Sequence, residues 1–422
     1  MRATKNSGFE WIGEIPTSWE LYKGKYMFTQ RNLRGNTIEL QLLSPTQKYG
    51  VVPQSVYEDR SGMNAVKLNE NANLSALKTI HKGDFCISLR SFQGGFEYSE
   101  YEGVVSPAYQ VFYPVVKVAR GYYKYLFKDS GFIEKMNSYT MTLRDGKNIA
   151  FADFGNTYIP CPPVDEQQHI ADFLDAKCAE IDALTADIQS QIDTLEQYKR
   201  SVITETVTKG LNPNAEMKDS EVQWIGNMPA HWDVIRGKYI LRYMQKPVHE
   251  DDGVITCFRD GEVTLRSNRR EDGFTMSDKE IGYQGIDVGD LVVHGMDGFA
   301  GAIGISDSRG KASPVLNVLD TKQNKRYIMY YLRSMAYSDV FLALATGIRV
   351  RSCDLRWNKL AELSYPVPPL NEQNAIVKHI DSVLSKADAV IADKKAQLAT
   401  LDEYKKSLIF EYVTGKKEVP VS

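Results

Sequence analysis

No apolar run in this chain approaches the ~20 residues that a membrane helix needs, and its opening, MRATKNSGFE, has no apolar signal core. The expectation is a cytoplasmic protein with no membrane association. Cysteine is scarce: Cys86, Cys161, Cys178, Cys257 and Cys353 are odd in number and scattered, without a Cys-x-x-Cys pair. Nor do the six histidines show paired-ligand spacing, so neither a disulfide framework nor a zinc site is expected, and the cysteines read as reduced, buried hydrophobes. Catalytic signatures are equally thin. Gly-Lys occurs at Gly24, Gly146, Gly237, Gly310 and Gly415 but is never followed by Ser or Thr, so there is no phosphate-cradling loop. Gly295, Gly298, Gly301 and Gly304 recur every third residue and read as a turn-rich segment rather than a cofactor loop. Asn212-Pro213-Asn214 lacks the aromatic continuation that holds a flipped base, and Asp320-Thr321-Lys322 lacks the upstream acids of a nuclease. His249, Glu250, Asp251 and Asp252 are too close in sequence to wrap an ion and read as a solvated loop.

What is present is an ordinary globular composition, 43% hydrophobic and 25% charged over 422 residues, enough for roughly two to four domains. It is also written twice. Residues 11–26, WIGEIPTSWELYKGKY, and 224–239, WIGNMPAHWDVIRGKY, agree at 8 of 16 positions with an offset of 213. A second pair, at an offset of 206, runs without a gap from Pro162-Pro163 to Val207-Thr208 and from Pro368-Pro369 to Val413-Thr414. The chain therefore divides into a globule (1–164), a helix (165–209), a second globule (210–369) and a second helix with a tail (370–422).

The helices have start and stop signals. Asp165 with Gln168 and, in the second copy, Asn371 offer N-cap side chains after a proline pair, while Gly210 and Gly415 supply the stops. Apolar residues recur at heptad-like spacing: Ile170, Leu174, Ile181, Leu184, Ile188, Leu195, Tyr198 and Val202, echoed by Ile376, Ile380, Val383, Val390, Leu401, Tyr404 and Leu408. Lys177, Gln191, Lys394 and Gln397 interrupt the stripe. The first globule joins the start of helix one, and the second joins both its end, through a short linker (211–223), and the start of helix two; if the helices bury their seams together they must run antiparallel, as a spacer of fixed length. A bare heptad pattern equally suits a protein-binding scaffold.

The globules mix strands with helices, an α/β (α+β) class. Phe85–Leu89, Tyr109–Phe112, Leu291–Val293 and Val315–Val318 read as strands, and the stretches around Tyr122, Tyr125, Leu126 and Phe127 and around Ile328, Tyr331 and Leu332 as helices. Trp11, Trp19, Trp224 and Trp232, with Pro16 and Pro229, read as packing residues that clamp the N-terminal arm of each globule. The frame repeats but the inserts between its elements do not. Charge is uneven too: residues 165–209 carry −6 and 371–415 carry −1, leaving +4 for the rest of a chain of net −3. The candidate phosphate- and base-contacting cations are Arg31, Arg34, Lys48, Arg90, Arg144 and Lys147 in the first globule, and Arg259, Arg266, Arg269, Arg270, Arg349, Arg351 and Arg356 in the second. Any of these clusters could equally be a solvated face.

Trp-Ile-Gly-x-x-Pro-x-x-Trp opening each globule and Pro-Pro-x-x-Glu-Gln opening each helix (Pro162, Pro163, Glu166, Gln167; Pro368, Pro369, Glu372, Gln373) resemble the specificity subunit of type I restriction-modification systems. The resemblance covers essentially the whole chain. It implies two target recognition domains that each read half of a bipartite double-stranded DNA site, on two antiparallel spacer helices. It also implies that the helices dock two modification subunits, and that motor-nuclease restriction subunits complete the complex. This subunit would then be non-catalytic and bind no cofactor, with S-adenosylmethionine, ATP and magnesium held by its partners.

Overall fold

The computed structural model describes residues 2–35, 40–65, 74–87, 95–139, 149–269, 281–344 and 355–420. The chain folds as two compact units, Met1–Ile188 with Ala396–Ser422, and Gln189–Lys395. Each unit takes one globule and half of each long helix, so the units cut across both helices rather than following the order globule, helix, globule, helix.

In the first unit a four-stranded antiparallel sheet has the order Phe28–Gln30, Gln110–Pro114, Phe85–Ile87, Phe96–Tyr98. In the second, Leu241–Met244, Leu316–Thr321, Leu291–His294 and Ile303–Ile305 repeat that order. The pairings are antiparallel throughout, so the class is α+β. The strands expected from alternation sit here, and the expected helices are Arg120–Leu126 and Lys325–Tyr337. One frame is filled in two ways. The first core is aromatic, with Phe28 5.6 Å from Phe127 and 5.7 Å from Phe112 and Phe154; the second packs Leu291, Val293, Ile303, Leu319 and Met329.

The long helices span Val164–Lys209 and Leu370–Val413. Each starts earlier than the N-cap signals suggested. The Pro163 and Pro369 carbonyls accept from the Gln167 and Gln373 amides at 2.9 and 3.0 Å, which places Asp165 and Asn371 inside the first turn. There the acidic Asp165 and Glu166 still suit the positive end of the helix dipole. The stops are as expected, with Gly210 and Gly415 at φ +75° and +74°, left-handed conformations that side chains resist. Within the first unit Phe173 stacks on Tyr412 at 4.5 Å and Lys405 reaches Asp182 at 2.6 Å. Within the second, Lys199 pairs with Asp388 at 2.6 Å and Lys394 donates to Gln191. In both, higher numbers on one helix meet lower numbers on the other, as antiparallel packing requires.

The seam differs in detail from the stripe read off the sequence. Spacings alternate strictly by three and four through Leu174, Cys178, Ile181, Thr185, Ile188, Ile192, Leu195, Lys199 and Val202, and through Val377, Ile380, Leu384, Ala387, Ile391, Lys394, Leu398, Leu401, Lys405 and Leu408. Leu184 and Val390 fall between these positions and are 48% and 45% exposed; Tyr198 and Tyr404 are exposed as well. Val383 also lies off the seam and is half-buried, while Ile170 and Ile376, both buried, face their globules. Lys394, expected to interrupt the seam, is part of it, as are Lys199 and Lys405; each extends its amine to a polar partner on the facing helix.

Each globule is bolted to the helices by one joint, made twice. Gln167 and Gln373 are fully buried. Their carboxamides accept from the Ala119 and Asn324 amides at 2.9 Å and donate to the Pro162 and Pro368 carbonyls at 2.8 Å. The Tyr122 hydroxyl donates to the carbonyl of Val413 at 2.6 Å, and that of Tyr327 to Val207 at 3.1 Å, closing each globule on the end of the other copy's helix. Trp19 and Trp232, both fully buried, lie against Gly415 and Gly210. The Trp19 indole donates to Glu166 at 3.0 Å, whereas Glu372 pairs with His231 at 2.8 Å. Gln373→Ala would strand the Asn324 amide and the Pro368 carbonyl, a cost of about 1–3 kcal/mol. Urea unfolding should show that loss, and a variant as stable as the parent would remove Gln373 from the joint.

Asp129 caps Ser130–Ser138 by accepting from the Phe132 amide at 3.0 Å, yet it is 2% exposed, and burial raises its carboxyl from the ordinary 3.8 to about 6. The folded state therefore holds this proton more tightly than the unfolded chain, so the contribution is full below about pH 4 and is lost as pH rises through about 6. Asp129→Asn keeps the cap and should flatten that slope in urea midpoints measured across the window. An unchanged slope would assign the pH dependence to other groups.

Candidate nucleic-acid interface

Of the thirteen candidate cations, Arg90, Arg144, Lys147, Arg270, Arg349 and Arg351 lie outside the described residues, as does Cys353. The seven described ones divide sharply. Arg31 is committed to the fold: it donates to Asp84 through Nε at 2.6 Å and Nη2 at 3.2 Å and lies 4.2 Å from the Tyr113 ring centre. Asp84, 1% exposed, needs that partner because a buried carboxylate has lost its hydration. Arg34 is exposed beside Lys78, with which it forms an isolated bridge. Lys78 is buried, donates to the Tyr109 carbonyl at 2.6 Å, and is held below the ordinary lysine range by that burial.

Each globule carries a hairpin beside its main sheet. In the first, Leu43–Thr46 pairs with Gly50–Pro53, and exposed Lys48 sits in the turn, 5.3 Å from the Tyr49 ring centre. Arg60, which the sequence did not single out, approaches the same ring at 5.8 Å. In the second, Ile255–Cys257 pairs with Val263–Leu265 and gathers Arg259, Arg266 and Arg269. Arg259 pairs with Asp297 at 2.9 Å. Arg269 lies 4.2 Å over the Phe258 ring and pairs with Asp260 and Glu262, and Arg266 approaches the Thr256 hydroxyl at 3.4 Å. Arg333 donates to the carbonyls of Gly261 and Ile303 at 2.8 Å and ties the turn to the core. Beside it, burial holds the His294 imidazole below its ordinary value. Arg356, exposed, precedes the helix Trp357–Glu362. Side chains so placed can neutralise phosphates or fork onto base edges, since Arg259 and Arg269 trade exposed carboxylates at little cost.

Other readings are resolved by position. Asp252 is not in a solvated loop: it is 9% exposed and takes two bonds from Arg309, at 3.0 and 2.9 Å, which hold its carboxyl down at about 2. Among the described residues no group of histidine, cysteine and acidic side chains is arranged to hold a metal. Cys86, Cys178 and Cys257 are buried and free, and burial pushes the Cys257 thiol up to about 12, far from nucleophilic use. No described helix is long and apolar enough to cross a membrane.

Residues 17–194 match the family described as the type I restriction modification DNA specificity domain. Among curated relatives, the type I restriction enzyme MjaVIII specificity subunit of Methanocaldococcus jannaschii is 25% identical over 67% of this chain and 68% of its own length. The putative MjaX specificity subunit of the same organism is 24% identical over 62% of this chain, and the match takes in 59% of that relative. The chain is thus similar to type I restriction specificity subunits over its first half and, more weakly, over about two thirds of its length.

Its fold agrees over nearly the whole length. A chain from a structure on complex assembly and conformational transition of the type I R-M system superposes over 96% of this chain and 99% of its own length, with a TM-score of 0.67 at 13% identity. The HsdS subunit of Thermoanaerobacter tengcongensis does so over 98% and 100%, with a TM-score of 0.50 at 14% identity.

The division among cations is open to test. Arg31→Ala would leave Asp84 buried and unpaired, at about 3–5 kcal/mol, and should lower the unfolding midpoint sharply. Arg259→Ala, at an exposed pair, should barely move it. Equal effects would refute the distinction.

Proposed function

We propose that this chain is the specificity subunit of a type I restriction-modification system, that it reads a bipartite, asymmetric site on double-stranded DNA, one half with each globule, and that its two long helices set the gap between the halves. The observation that carries this is one joint built twice around globules whose exposed inserts differ: a shared frame presenting two specificities. A scaffold reading has no use for two unlike, cation-bearing hairpins on identical mounts. The hairpin arginines and Lys48 are the described candidates for DNA contact.

We further infer two modification subunits, joined by restriction subunits in the full complex. In the first unit Leu184 and Tyr404 are exposed on the two long helices, and in the second Val390 and Tyr198. These pairs correspond in the repeat and lie off the seam, which suits one partner helix surface per unit. On this reading the chain itself is non-catalytic and acts in the cytoplasm. Adenine methylation with S-adenosylmethionine, and cleavage driven by ATP and magnesium, belong to the partners, which supply the flipped-base pocket.

The spacer role makes a sharp prediction. One heptad inserted after Ser190 and one after Ala396 preserve the seam and add seven residues at ~1.5 Å each, about 10 Å or three base pairs. Methylation mapped by long-read sequencing, in cells carrying the chain and its modification subunit, should show the same two half-sites with a longer gap. An unchanged gap would refute the spacer, and absence of any methylated motif with the parent chain would refute DNA specificity.

A further inference from the structure

The duplicated opening segment ends in Gly-Lys-Tyr in both copies, on the short helices Gly24–Met27 and Gly237–Ile240. Most of the identities in that segment have a packing explanation. Trp19 and Trp232 are buried in the joints, and a Cβ on Gly24 or Gly237 would stand 2.7 Å from the Phe154 carbonyl oxygen or 2.3 Å from that of Leu360. The tyrosines have none: Tyr26 is 63% exposed and Tyr239 75%. Each is held alike, with the preceding lysine amine 5.5 Å from its ring centre, Lys25 over Tyr26 and Lys238 over Tyr239.

An exposed aromatic kept in both copies, while the recognition inserts diverge, points to a ligand that both globules meet in the same form. The two DNA half-sites differ in sequence, which removes base reading. At the second globule phosphate is a poor fit. Glu362 already takes the side chains of both Lys238 and Arg236, at 3.0 and 2.6 Å, and a carboxylate so placed repels a phosphodiester. In the first globule the surroundings are apolar: the Val115 amide donates to the Met27 carbonyl at 2.8 Å, bringing Val115 and Val116, 54% and 44% exposed, beside Tyr26. A ring flanked by aliphatic surface, with lysine at the rim, is the make-up of a protein-binding hot spot.

We propose that Tyr26 and Tyr239 each anchor one copy of the same protein subunit, the modification subunit, through an apolar pocket that takes the exposed ring. This rests on the reading of the chain as a subunit that binds its modification subunit twice. It adds a globule contact to the one on the helices.

The test uses the full chain with its modification subunit. Native mass spectrometry and titration should give two bound subunits for the parent. Tyr26→Ala and Tyr239→Ala should each weaken one site about tenfold or more, and the double variant both, with unfolding midpoints unchanged because the rings are exposed. Binding of the isolated chain to non-specific duplex DNA should stay at the parent value. Two subunits bound by the double variant with parental affinity would overturn the anchor. So would weakened DNA binding with intact subunit binding, which would move the tyrosines to the phosphate backbone. A parent chain that binds no modification subunit would instead refute the partner reading on which the anchor rests.

Discussion

Everything in this molecule hangs on two buried glutamine side chains. Gln167 and Gln373 each bond at once to the backbone opening a globule helix and to the proline carbonyl just before a long helix. A carboxamide that satisfies both its donor and its acceptor inside a core fixes orientation as well as position, because any other pose leaves a polar group stranded. Around it the tyrosine hydroxyls of Tyr122 and Tyr327 take the last carbonyls of the opposite long helix. The joint therefore needs three parts: a globule, the start of the helix that follows it, and the end of the helix from the other copy. Neither copy could build it alone.

That requirement explains how two globules can differ so much while the frame holds. One core is stacked from phenylalanines and the other mixes aliphatic residues with tyrosines, yet both present the same backbone to the same glutamine. The hairpins that carry Lys48 and the second globule's arginines are separate elements from those that make the joint. Recognition can thus change by surface substitution without cost to assembly.

Much of this was legible in the sequence because it depends on local signals. The proline pairs, the stopping glycines and the heptad spacing define both long helices to within a residue at their starts, and Gly-Asp turns locate two sheet strands. The seam register was harder. Leu184 and Val390 look like core by hydrophobicity, whereas Lys199, Lys394 and Lys405 look like surface; only the facing helix shows that the lysine stems pack and their amines reach out to partners. The candidate site was legible only as charge. Nothing in one dimension separates Arg31, consumed by a buried aspartate, from Arg259, paired at the surface, since Asp84 and Asp297 are equally ordinary until the fold decides which is dry. Gln167 could have been found, as one of the few polar residues identical in both helix openings.

The lysines of the seam carry a last consequence. A greasy coiled coil can slide by a heptad and still bury leucine against isoleucine, but here such a slip would take the Lys394 amine from Gln191 and set it against Leu184 or Tyr198, and would part Lys199 from Asp388 and Lys405 from Asp182. A change of length that keeps all three of these contacts must therefore strike both helices at facing positions.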